Sequence, residues 1–156
     1  MNEQVEERRR LASRCFGCGT LNPMGLGMQF RVENGRAVAE FTPSLHHQGF
    51  PGHMHGGLVA TMLDEAMGWA VYGQGVWAMT AKMSVRFREP VPLSETLLVT
   101  GKVLRHRGRL LDLRGEIRTR DGKLLAYAEG VFMRVTGRRA DQLARAYQVE
   151  LARQEG

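Results

Sequence analysis

The sequence predicts an α+β fold in which a curved antiparallel sheet wraps around one long buried helix. Three observations carry this expectation. Near the start, Asn34-Gly35 separates two short apolar runs, a strong hairpin signal because both turn positions require positive φ. From Leu58 to Tyr72 the chain is apolar on nearly every face, which marks a helix buried all round rather than one lying on a surface. Stretches of strand character follow, interrupted by Gly- and Pro-containing turns. A sheet and a single helix bury their apolar faces against each other, so the two must form one layered core.

The elements read as follows. Residues 1–14 are charged and Arg-rich with weak periodicity, a short helix or frayed tail. The runs Met28–Val32 and Ala37–Phe41 flank Glu33-Asn34-Gly35-Arg36 and form the opening hairpin. Residues 42–54 combine prolines, glycines and histidines, a loop that delivers the chain to the helix. After Gly73 and Gly75 the period becomes two. Met79, Ala81, Met83, Val85 and Phe87 then face one way, and Thr80, Lys82, Ser84, Arg86 and Arg88 the other, until Pro90 ends the strand. Three further strands, 96–104, 110–119 and 124–135, continue an antiparallel meander. Leu143, Ala146, Tyr147 and Leu151 give the tail from Arg138 helical spacing. The expected organisation is a tail at 1–14, one domain at 15–137 and a helical tail at 138–156.

Bulk properties narrow the function. A chain of 156 residues is sized for one core. Its 43% hydrophobic and 24% charged content is that of a packed globular protein. Asp64 and Glu65 interrupt the apolar run and exclude an ordinary transmembrane helix. The first ten residues, with Glu3, Glu6, Glu7 and Arg8 to Arg10, lack the apolar stretch of a secretory signal, so a cytoplasmic location with no membrane partner is expected. The net charge of +6 permits nucleic acid, an anionic surface or a phosphorylated small molecule as partner. Few aromatics are interleaved with the basic residues, which argues against nucleic acid. Cys15 and Cys18 form one Cys-x-x-Cys, too few for a disulfide framework and half the ligand count of a structural zinc site. The histidines at 46, 47, 53 and 55 lack the register of a helix-borne metal site. No metal and no cofactor are expected.

Two features carry chemistry. A carboxylate in an otherwise apolar helix costs roughly 2–7 kcal/mol if buried without a partner. Asp64 therefore faces a cleft, or it is paired. Glu65 lies about 100° further round, so at most one of the two acids faces a substrate. Upstream, His55-Gly56-Gly57 opens the helix. Paired glycines there let a ligand approach backbone N–H groups that can hold an oxyanion. Taken alone, each feature also fits a structural use, as a solvated helix rim and a loop-to-helix junction.

The segment from His55 to Gly68, His-Gly-Gly-Leu-Val-Ala-Thr-Met-Leu-Asp-Glu-Ala-Met-Gly, resembles the hotdog-fold thioesterases of the phenylacetate-degradation type. So do Cys15-Phe16-Gly17-Cys18-Gly19, Gln48-Gly49-Phe50-Pro51-Gly52, and Thr80 to Phe87 with Pro90-Val91-Pro92. The resemblance covers residues 15–135 and implies an acyl-CoA thioesterase with the hotdog fold. It implies Asp64 as nucleophile or general base, Thr80 as the residue that positions the water, Gly57 as a backbone donor to the carbonyl, and His55 near the carbonyl or leaving thiol. Gly56 and Gln48 join the expected substrate site.

Geometry adds a requirement. Gly57 and Asp64 are seven residues apart, about 10 Å along a helix. One carbonyl cannot reach both, so the donors and acid that act together come from different chains of a homodimer or homotetramer. Arg86, Arg88 and Arg107 are candidates for the CoA phosphates, because a guanidinium fork grips two oxygens at once. The alternatives are a hotdog hydratase or dehydratase and a non-catalytic acyl-CoA-binding module. Asp64 with Thr80 favours hydrolysis over both.

Overall fold

The computed structural model describes residues 14–155. The expected tail at 1–14 lies outside them save for Arg14. The opening hairpin forms as predicted, with strand β1 at Arg31–Glu33 and β2 at Arg36–Phe41. Its turn residues Asn34 and Gly35 have φ of 50° and 74°, the paired positive values of a two-residue turn that matches strand twist. β1 is shorter than the apolar run suggests, yet Met28 and Phe30 ahead of it are 1% and 0% exposed. These two side chains belong to the core without belonging to the sheet.

Helix α1 spans Gly56–Tyr72. Strands β3 (Ala78–Phe87), β4 (Leu97–Arg107), β5 (Leu110–Thr119) and β6 (Leu124–Arg134) follow, then helix α2 (Gly137–Glu155). The six strands form one antiparallel sheet in the order β1-β2-β4-β5-β6-β3. The predicted meander thus holds from β4 to β6, whereas β3 pairs with β6 and not with its sequence neighbour β4. The segment between β3 and β4 carries Pro90 and Pro92, which suit a crossing rather than a tight hairpin. The sheet curves around α1, the architecture of the hotdog fold. Among the described residues, no helix is long and apolar enough to cross a membrane.

The helix is buried as its composition requires. Met62, Leu63, Ala66 and Met67 are 0% exposed and pack in one core with Ala39, Val99, Leu113 and Ile117 from the sheet. Gly101 on β4 sets how closely the two layers approach. A Cβ there would sit 2.1 Å from the Ala66 carbonyl oxygen, so sheet backbone and helix backbone touch with no side chain between them.

On β3 the strict alternation fails at one residue, and that residue decides what reaches α1. Thr80 pairs with Phe132 and Lys82 with Val131. Adjacent partners on β6 therefore face residues two apart on β3, and Ala81 is the extra residue of a β-bulge. Met83 and Val85 pack on the core after the bulge, as does Ala78 before it. Thr80 consequently points to the α1 side together with Met83, whereas uninterrupted period two sets them on opposite faces. The expected grouping of Thr80 with Lys82 and Ser84 is corrected in this way: one inserted residue turns the side chain over.

Candidate active site

Asp64 lies midway along α1, half-buried at a cleft of about 270 Å³. Thr80, Glu65, Cys15, Trp77 and Tyr147 share that cleft. Thr80 Oγ1 donates to Asp64 Oδ1 at 2.6 Å, within the range of a hydroxyl–oxygen hydrogen bond. Among the described residues no donor reaches Asp64 Oδ2 (its other oxygen), which leaves one oxygen held and one available to the cleft.

Glu65 occupies a different environment, as the 100° rotation requires. It turns to the Cys15–Cys18 segment, with Cys15 Sγ 3.6 and 3.7 Å from its carboxylate oxygens. Burial, reinforced by charge on Cys15, pushes the Glu65 carboxyl up to about 7. The Cys18 thiol donates to Cys15 and lowers the Cys15 thiol to about 5, while the same bond and burial push Cys18 upward.

The other predicted residues gather at the start of α1. His55 is the N-cap, and its Nδ1 accepts the Gly57 N–H at 2.9 Å. The His55 backbone is fixed by its own N–H to the His47 carbonyl at 2.8 Å. Gly57 is thus capped from within the chain, and the first-turn N–H of exposed Gly56 is the neighbouring donor. Gly56 lines a second cleft with His53, Phe87 and Arg88. Gln48 lies in the preceding loop, its Oε1 accepting the Gly52 N–H at 3.0 Å. Arg86 is exposed on β3 opposite Tyr127.

Arg107 is not brought to either cleft. It ends β4, separated from β3 by β5 and β6. Its fork is engaged by Asp112, with Nε to Oδ2 at 2.8 Å and Nη2 to Oδ1 at 2.6 Å. That pairing draws the Asp112 carboxyl well below the usual carboxylate range.

The predicted residues thus form two clusters along one helix. His55, Gly56 and Arg88 stand at its N-terminus, and Asp64 with Thr80 at its middle. Sequence reasoning did not place Cys15, Glu65, Trp77 or Tyr147 at the Asp64 cleft. Tyr147 belongs to α2 and stacks on Trp77 with ring centroids 5.3 Å apart, so the predicted helical tail touches the site. Tyr147 as the aromatic of that helix was the available signal.

Residues 51–126 match the family model described as the thioesterase superfamily. Over this span the chain resembles the thioesterase superfamily, and its sheet and helix have the hotdog architecture. The matched span contains His55, Gly56, Gly57, Asp64, Thr80, Arg86, Arg88 and Arg107, and leaves out Gln48, Cys15 and Cys18. Among relatives, the chain is 36% identical over 106 residues to acyl-coenzyme A thioesterase THEM4 of Mus musculus, covering 65% of this chain and 45% of that protein. It is 33% identical over 136 residues to the Bos taurus protein of the same name, covering 84% and 55%. The chain therefore spans about half the length of these relatives. A crystal structure of a thioesterase superfamily protein aligns with TM-score 0.71 at 36% identity, over 74% of this chain and 60% of that one. The E. coli PaaI protein from the phenylacetic acid degradation operon aligns with TM-score 0.67 at 25% identity, over 72% and 82%.

Proposed function

We propose that this chain is a hotdog thioesterase that hydrolyses acyl-CoA thioesters to the free acid and CoA. The observation that carries the reading is the Asp64–Thr80 pair: a carboxylate held at one oxygen by a hydroxyl and open at the other, on a cleft rim. Its relatives in Mus musculus and Bos taurus, named as acyl-coenzyme A thioesterases, support the same chemistry.

In this reading Asp64 Oδ2 delivers the attack. It takes a proton from a water molecule that bonds to the thioester carbon, or it bonds to that carbon itself and water then releases the acid. The carbonyl oxygen gains charge as the new bond forms, and N–H groups at a helix N-terminus stabilise it. Gly56 supplies such a donor, and Gly57 a second once its N–H exchanges His55 Nδ1 for the carbonyl oxygen. The C–S bond then breaks and the thiolate leaves with little assistance, since thiols are far more acidic than alcohols.

The donors and the acid act together only between two copies. The span from Gly57 to Asp64, about 10 Å on one helix, exceeds the reach of a single carbonyl. β3 lies at the sheet edge with Met79 and Phe87 52% and 57% exposed, a surface suited to burial against a second copy. A two-fold dimer, alone or paired into a tetramer, would set the helix N-terminus of one protomer near Asp64 of the other. Arg88 beside Gly56 would then meet the CoA phosphates.

The test is thiol release from a panel of acyl-CoADerivatives differing in chain length and aromaticity, comparing the native chain with Asp64→Asn at equal folded concentration. Release by the native chain that falls at least 100-fold in the variant supports the reading. Equal release by both removes Asp64 from the chemistry. Stabilisation by acyl-CoA with no release moves the reading to a binding module.

A further inference from the structure

The Cys15–Cys18 turn and Glu65 form a convergence of donors that hydrolysis does not use. The turn Cys15-Phe16-Gly17-Cys18-Gly19 is closed by Gly19 N–H to the Cys15 carbonyl at 2.9 Å. It is anchored by Leu26 N–H to Phe16 O at 2.8 Å and Met28 N–H to Gly17 O at 2.9 Å. Both sulfurs and the Glu65 carboxylate are thereby brought together, with all three donor atoms within 4.8 Å of one another. Cys15 Sγ lies 3.6 Å from Glu65 Oε2. In tetrahedral zinc coordination, bonds of ~2.3 Å to sulfur and ~2.0–2.2 Å to oxygen place ligand atoms about 3.5–3.8 Å apart. This one separation matches a coordination edge.

Gly17 is the second, independent observation. A Cβ at this position would lie 2.5 Å from Glu65 Oε2, so the turn has no side chain where the carboxylate enters. Cys18 is 3% exposed, and Glu65 reaches the turn from the buried helix. Two thiolates and a carboxylate crowded together out of water repel one another, and a dication removes that repulsion where protons otherwise must. Two soft sulfurs exclude magnesium and calcium and favour zinc.

We propose that Cys15, Cys18 and Glu65 bind one zinc ion, which clamps the segment preceding β1 onto α1. A solvent molecule completes the tetrahedron. Cys15 and Glu65 both line the Asp64 cleft, so that fourth position opens there, one helix residue from Asp64. The ion holds the wall of the cleft and leaves the carboxylate chemistry to Asp64. The sequence showed two of the three protein ligands and concealed the third, because Glu65 is 50 residues away.

The test uses the full chain, reduced and stripped with a chelator, then titrated with cobalt(II) as a spectroscopic substitute for zinc. A thiolate-to-cobalt charge-transfer band saturating at one equivalent is expected, together with the visible absorption of a tetrahedral ion, and zinc should bleach both. Cys18→Ser should abolish the band, and Glu65→Gln should weaken binding at least tenfold. Circular dichroism verifies that each variant is folded. Zinc should raise the melting temperature of the native chain more than that of either variant. Absence of a cobalt band in the reduced chain, a band that persists in Cys18→Ser, or undiminished affinity in Glu65→Gln would overturn the proposal.

Discussion

Replacing Thr80 with Val tests the geometry that the bulge creates. Val keeps the branched shape and removes the hydroxyl that donates to Asp64 Oδ1 at 2.6 Å. Hydrogen bonds to charged groups contribute about 1.5–3 kcal/mol. If the bond orients the carboxylate during attack, its loss slows turnover by roughly 10- to 100-fold, at about 1.4 kcal/mol per decade. The fold should be little affected, because Thr80 is exposed at the cleft rim and Val keeps its shape. Initial rates of thiol release with a good acyl-CoA substrate give kcat and KM for native, Thr80→Val and Thr80→Ser. The expected result is a fall in kcat for Val with KM within about threefold, and recovery of most of the rate by Ser. A Val variant with native kcat, or a Ser variant as slow as Val, would refute the positioning role.

Other predictions follow from the same contacts. Gly101→Ala forces a methyl against the Ala66 carbonyl, where no side chain can yield, and should cost about 3 kcal/mol, or roughly 6–12 °C in melting temperature; a native melting temperature would show that the layers are not in contact. Arg88→Ala should raise KM for acyl-CoA several-fold, while Arg107→Ala, whose fork already holds Asp112, should leave it unchanged; the reverse pattern in steady-state kinetics would exchange their roles. With chelator present, iodoacetamide should alkylate Cys15 before Cys18, since the lowered Cys15 thiol is ionised at neutral pH and Cys18 is buried. Because the Cys15 value is about 5, its rate should be flat near neutrality and fall as acid protonates it below that point, which mass spectrometry of quenched samples reads directly.

Local chemistry made most of the fold legible. Asn34-Gly35 announced its hairpin, and the apolar run announced a buried helix, because turn conformation and helix burial are properties of neighbouring residues. The position of β3 beside β6 was not legible, since strand order is a choice among distant partners. Nor was the bulge: Ala81 looks like any small strand residue, and only its pairing against β6 shows that it is extra. In the candidate site, Asp64 stood out as an acid among apolar residues. The meaning of Glu65 did not, because its partners Cys15 and Cys18 lie on a turn that folding brings to the helix. Resemblance named Thr80 where the alternation pointed it away, and the bulge reconciles the two.

Asp64 and Glu65 show how one turn of helix serves two surfaces. A rotation of about 100° between neighbours is enough to send one carboxylate to a sheet edge and the next beneath the segment that precedes the sheet. Asp64 meets the Thr80 hydroxyl, which holds one of its oxygens. Glu65 meets sulfur and apolar surroundings, which oppose its charge and push it to about 7. The environments separate two chemically equal groups into a half-buried carboxylate on the cleft, suited to attack, and one turned to the sulfurs, suited to coordination. Exchanging the pair would therefore not be neutral: at 64 the longer glutamate would displace the Thr80 contact, and at 65 the shorter aspartate would fall about one methylene short of the two sulfurs. The order of the acids is as much a part of the site as their presence.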